Sequence, residues 1–150
     1  MKISPDMAKA QANMRPGVIT SDGFLGDEDR ALPDIIAADE TSMEAEGITF
    51  EEAAAVMKRL TNEGKKGLGE PTTVDDKWIV RVDDARGHLP SPFEDGLFRK
   101  MNVQVSNKNN GGELIFSDLS IHLLEKHHFL QGKGSPFRLE PKQLKKVLEL

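Results

Sequence analysis

Cysteine and tyrosine are absent, and tryptophan occurs once, as Trp78. Without thiols there are no disulfides, thiolate zinc sites, iron–sulfur clusters or cysteine nucleophiles. So few aromatics cannot furnish an aromatic cage or a stacking platform for bases. No apolar run reaches the roughly 18 residues that a membrane helix needs, so no membrane span is expected. Met1-Lys2-Ile3-Ser4-Pro5-Asp6 lacks the apolar stretch of a signal peptide. With no cysteine to oxidise, the default expectation is a cytoplasmic protein.

What is present fits one domain of 150 residues, 37% hydrophobic and 30% charged. The formal net charge of -5 is unevenly spread. Residues 1–98 hold 11 basic and 20 acidic side chains, a net of −9; residues 99–150 hold 9 and 5, a net of +4. Either the two halves neutralise each other within one fold, or the basic half faces an anionic partner.

Residues 1–30 read as an irregular N-terminal arm. Ser4 and Pro5 suit a short helix start, and residues 15–20 suit an edge strand. The polar loop that follows has two apolar anchors, Phe24 and Leu25, so the arm is expected to dock loosely or to pair with another chain. Residues 31–150 form a single α+β domain. Helices are predicted at about 33–46, 49–63, 118–130 and 141–148, on helical spacing and capping signals. The clearest is Thr49-Phe50-Glu51-Glu52, a capping box followed by Phe50, Ala53, Ala54, Met57 and Leu60 on one face. Strands are predicted near 77–83, 100–108 and 112–117, forming a small antiparallel sheet with the helices packed on one face. Residues 85–97, with Gly87, Pro90, Pro92 and Gly96, read as a loop.

Asn110-Gly111 has the residue types of a two-residue type I′ turn. That register pairs Lys108 with Glu113 and Val105 with Phe116. It sends Val103, Val105, Leu114 and Phe116 to the core.

Three of the four histidines cluster: His122, His127 and His128, with His88 apart. His122-Leu123-Leu124-Glu125-Lys126-His127 fits neither H-x-x-E-H nor H-E-x-x-H. At about 100° per residue, His127 lies roughly 140° around a helix from His122, and His128 roughly 120°. Rings so placed are expected to diverge, so no metal site and no cofactor are expected. A site that includes His88 or another subunit stays open.

Asp118 and His122, four apart near a helix start, make a candidate acid–base pair, with His88 as a further candidate. The ordinary alternative is that Asp118 caps the helix. Lys133, Gly134, Ser135 and Arg138 form a candidate anion nest in a Gly-rich turn. The spacing is not that of a phosphate loop, and a plain helix–helix connection explains the glycines equally well. Asp22, Asp27, Glu28 and Asp29 do not alternate as calcium ligands do and read as a solvated acidic run. Arg99, Lys100, Lys108, Lys133, Arg138, Lys142, Lys145 and Lys146 supply phosphate-binding charge, without an RNA-recognition motif beside it.

The segments 15–20 (RPGVIT), 117–122 (SDLSIH) and 132–139 (GKGSPFRL) resemble parts of an uncharacterised family of small soluble bacterial proteins. The resemblance spans most of the chain from Arg15 onward. It implies a bacterial, cytoplasmic protein and carries no activity, cofactor or partner.

Taken together, these readings point to a non-enzymatic binding or interaction protein that partners another protein or itself. One alternative is a small enzyme or ligand-binding domain using Asp118 and His122 near the Gly132–Ser135 turn. Another is nucleic-acid binding through the basic half.

Overall fold

Capping chemistry starts the helices where the sequence says it should. Thr49 Oγ1 accepts from the Glu52 N–H at 3.1 Å, and Glu52 Oε1 accepts from the Thr49 N–H at 2.9 Å. Two of the first-turn donors are thereby satisfied, and the helix Phe50–Lys65 follows. Ser117 and Ser120 do the same for Asp118–His127. Pro33 and Pro141, each in a first turn, open Leu32–Ala45 and Pro141–Leu148.

A computed structural model describes residues 3–150. In chain order it contains α1 Pro5–Asn13, α2 Leu32–Ala45, α3 Phe50–Lys65, β1 Thr72–Val74, β2 Trp78–Pro90, β3 Leu97–Asn107, β4 Glu113–Ser117, α4 Asp118–His127 and α5 Pro141–Leu148. The strands form one antiparallel sheet in the order β1-β2-β3-β4. The chain is therefore α+β, and no helix among the described residues is long and apolar enough to cross a membrane.

Alternation along the strands divides the sheet into a buried and a wet face. Trp78, Val80, Val82, Met101, Val103, Val105, Leu114 and Phe116 are buried against helices; Ile79, Arg81, Gln104 and Ile115 face water. A main core lies between this sheet and α3, α4 and α5. A second core joins Ala10 and Met14 near α1, Phe24, Leu32 and Ile35 of α2, and Leu119, Leu123 and Phe129 around α4. Because α4 buries both flanks, it stands between the two cores.

Several local expectations need correction. Residues 15–20 are turns rather than a strand, since Gly17, with φ +85°, donates back to the Thr20 carbonyl. Nor is the arm loosely docked: Met14 is fully buried and Phe24 nearly so. β1 was not legible, because its turn uses Asp75 and Asp76 at φ 53° and 56° in place of the usual Asn-Gly. β2 and β3 run on through most of the expected loop 85–97. A bulge between Asp84 and His88, with Gly87 at φ +98°, absorbs the irregularity, and His88, Leu89 and Pro90 pair with Arg99, Phe98 and Leu97.

The β3–β4 connection is longer than a two-residue turn. Glu113 pairs with Ser106, not Lys108, and Val105 with Leu114. The Asn107 and Asn110 side chains accept from the Asn109 and Gly112 N–H groups and so shape a wider loop. The shift is two residues, one full pleat, so the same four side chains still enter the core while the Lys108–Glu113 pairing is lost. Finally, α4 ends at His127, because His128 turns left-handed at φ 53°.

Candidate functional site

The bulge in β2 carries the far end of the β2–β3 hairpin off the main sheet and over α4. Its tip, residues 91–96, is closed by Ser91 N–H to the Gly96 carbonyl and Glu94 N–H to the Ser91 carbonyl, both 2.9 Å. Asp95 sits on this tip. Its Oδ2 lies 2.9 Å from Nε2 of His122 and 2.6 Å from Nε2 of His127. Both rings therefore present the same nitrogen to one carboxylate oxygen, which accepts from each.

Convergence of these rings corrects the divergence expected from the helical wheel. The wheel describes where side chains leave the backbone, not where a ring nitrogen ends up after two rotatable bonds. His127 is also the last helical residue, so no following turn hems in its ring. Aromatic packing then fixes both. Phe93 stacks on His127 with centroids 3.7 Å apart and planes 4° from parallel, and Phe98 tilts over His122 at 4.4 Å. His128 does diverge: its Nδ1 lies 2.7 Å from Glu40 Oε2, and its ring stacks on Phe50 at 4.0 Å.

Asp95, His122 and His127 are the group of potential metal ligands found among the described residues, with one donor atom from each lying within 4.8 Å of the others. The His122 and His127 side chains are 15% and 23% exposed and Asp95 36%, so the cluster is walled on one side and open to water on the other. Partial burial pushes the Asp95 carboxyl upward. Hydrogen bonds from Ser91, His127 and His122, with the charge of His122, more than reverse this and bring it down to about 2. Asp95 is thus an anion wherever the protein is folded near neutrality. A carboxylate oxygen and two imidazole nitrogens form a donor set suited to first-row divalent transition ions. Such an ion would be held by these three atoms in place of the Nε2 protons that now bridge them.

Asp118 and His122 do not meet. Asp118 Oδ2 accepts from the Arg99 backbone N–H at 3.3 Å, and His122 turns to Asp95 instead. His88 is exposed on β2, opposite Arg99, and lines an open groove of about 430 Å³ with Asp84 and Arg86. It takes no part in the histidine cluster.

The Gly132–Ser135 turn is engaged by the chain itself. Asp27 N–H donates to the Lys133 carbonyl, Gly134 lies against the Asp27 carboxylate, and Ser135 Oγ donates to Gln131 Oε1 at 2.7 Å. Arg138 is nearly buried, and all five of its N–H groups are occupied. Nη1 donates to Asp39 Oδ2 at 2.6 Å and to the Gln131 carbonyl; Nη2 donates to Asp39 Oδ1 and Glu140 Oε2, and Nε to Glu140 Oε1. Burial works to lower its pKa, but the hydrogen bonds to Asp39 and Glu140 outweigh that and raise it. Several cations of the basic half likewise meet groups from the acidic half: Arg138 with Asp39, Arg99 with Asp84, and Lys145 with the Glu46 carbonyl.

Asp95 is the residue that sequence reasoning missed. An Asp-Gly in a segment rich in glycine and proline carries only a turn signal, and nothing local links it to residues 27 and 32 positions further on.

Comparison with known proteins finds no matching family model, no matching curated protein and no matching solved structure.

Proposed function

We propose that this chain is a non-enzymatic binding protein whose ligand is one divalent first-row transition-metal ion, held by Asp95, His122 and His127. The observation that carries the reading is the meeting of two imidazole nitrogens on one carboxylate oxygen at a solvent-facing hairpin tip. Three protein donors leave room for water or another ligand on the ion, unlike the closed four-ligand sites that serve structure alone. Oxygen-preferring Mg²⁺ and Ca²⁺ gain little from two imidazoles, so selectivity should run to Zn²⁺ or Co²⁺.

Calorimetric titration of the chelator-treated protein with Zn²⁺ should give one site per chain. Replacing His122 or His127 by glutamine should weaken binding by more than the roughly 10–100-fold that loss of an outer hydrogen-bond partner costs. His88→Ala and Asp118→Asn should bind Zn²⁺ as the natural sequence does. Unchanged affinity in both glutamine variants would remove the reading.

Self-association is a second reading, favoured by the water-facing side of the sheet. Ile79 and Ile115 are 37% and 46% exposed there, and Arg81 and Glu113 offer opposite charges to a two-fold related copy. Light scattering over a wide concentration range should show a dimer that Ile115→Lys disperses; a strict monomer throughout would dismiss it. A cytoplasmic location, supported by the cysteine-free composition, and a bacterial source, supported by the resemblance of three segments, complete the proposal.

A further inference from the structure

Resting on the metal-site reading, we infer that the ion acts as a latch: its occupancy fastens the tip of the β2–β3 hairpin onto α4 and, through the tip, steadies α1.

The three ligands come from two pieces of chain that can part. Asp95 belongs to the hairpin, and both histidines belong to α4. The hairpin divides at its bulge. Below it, Val80, Val82, Met101, Val103 and Val105 are buried in the main core, so this ladder moves only when the whole fold moves. Beyond it, residues 88–90 and 93–99 are exposed or half-buried, only Ser91 and Pro92 are buried, and Leu89, Phe93 and Phe98 lie at the margin of the second core. A segment with few buried contacts and a register break behind it has the features of a locally opening unit.

The tip is fastened at few points. Apart from the Asp95 hydrogen bonds, the two ring stacks and, at the base of the extension, the Arg99 N–H bond to Asp118, Asn13 Nδ2 donates to the Pro92 carbonyl at 2.9 Å. Lys9 pairs with Glu94 at 3.1 Å through side chains that are 67% and 52% exposed. Both extra contacts come from the α1 segment. Opening of the tip therefore strips α1 of its grip on the hairpin and uncovers the flank of α4 that carries the histidines.

An ion changes the balance because it binds only where all three ligands meet. It ties residue 95 to residues 122 and 127 across the loops between them, and the open form, with its ligands apart, holds it far less well. Amide exchange in a segment that must release the ion to open slows by 1 + [M]/Kd, about 100-fold at free metal near 100 times Kd.

The test is hydrogen exchange by mass spectrometry on the full chain, with chelator, with saturating Zn²⁺ and with Mg²⁺ at equal ionic strength, alongside a calorimetric binding curve. With Zn²⁺, peptides covering 88–99 should slow by about 100-fold under those conditions and 5–14 by a smaller factor, since α1 can also open without releasing the ion, while 66–76, whose local opening leaves the three ligands together, should not change. Mg²⁺ should protect neither, and His127→Gln, with circular dichroism confirming its fold, should lose the Zn²⁺ effect. One Zn²⁺ bound per chain with exchange unchanged at 88–99 overturns the latch and leaves the metal site standing. Protection at 66–76 equal to that at 88–99, or equal protection by Mg²⁺, also overturns it. No Zn²⁺ binding at all overturns both.

Discussion

Replacing Arg138 by alanine should lower the stability of the protein by about 3–5 kcal/mol, the usual cost of stripping one partner from a buried ion pair. The Asp39 carboxylate is 8% exposed and takes two guanidinium donors, at 2.6 and 2.9 Å. Without Arg138 it stays in that environment with no cation facing it, and the Gln131 carbonyl loses its donor as well. Lysine should rescue little, since one ammonium cannot reproduce a planar fork that engages two carboxylates and a carbonyl at once. The paired change Arg138→Met with Asp39→Leu should recover most of the loss, because it removes the stranded charge with its partner. Urea denaturation of the three variants checks this, and a loss below about 1 kcal/mol for the alanine variant would contradict it. Acid should act on the same clasp. The hydrogen bond from Arg138 holds the Glu140 carboxyl below its ordinary range. That contribution is present above about pH 4.3, the ordinary glutamate value, and fades as pH falls through the lowered one. The alanine variant should lack this component of acid sensitivity.

Gly132→Ala should cost about 1–3 kcal/mol or more by overpacking. A Cβ at Gly132 would overlap the Leu25 carbonyl oxygen and come within 2.8 Å of the Leu25 Cα. These are backbone atoms and cannot rotate away. The two segments are also tied by Gly132 N–H to the Phe24 carbonyl at 2.9 Å and Asp27 N–H to the Lys133 carbonyl at 2.8 Å. Separation to admit the methyl group breaks both bonds and draws Phe24 out of the second core. Limited proteolysis should then cut within residues 15–30 while leaving the sheet intact. Resistance equal to that of the natural sequence would show that this contact does not hold the arm.

Much of the fold was readable because it rests on short-range rules. The capping box at Thr49, the proline starts of α2 and α5, and the core-facing alternation around Val103, Val105, Leu114 and Phe116 need only a few neighbouring residues to recognise. The β3–β4 register went astray by one full pleat because Asn107 and Asn110 spend their side chains on the loop, a choice that Asn-Gly alone does not reveal. The hairpin extension was hidden because glycine and proline mark a bulge and a strand end as readily as a loop. At the site, both histidines were singled out, but their convergence was missed, as a wheel carries no information about χ angles or about a third residue arriving from another element.

The amino-acid order by itself determined the helix starts, the buried and wet faces of the strands and the supply of imidazoles on α4, since periodicity and capping act within one or two turns of chain. Only the tertiary structure decided that Asp95 meets His122 and His127, and that Arg138 is consumed by Asp39. Both contacts depend on where distant segments cross: a bulge in β2 steers the hairpin tip over α4, and the placing of α2 beside the segment before α5 sets Asp39 against Arg138. Positions set by packing across tens of residues leave no pattern in the local sequence.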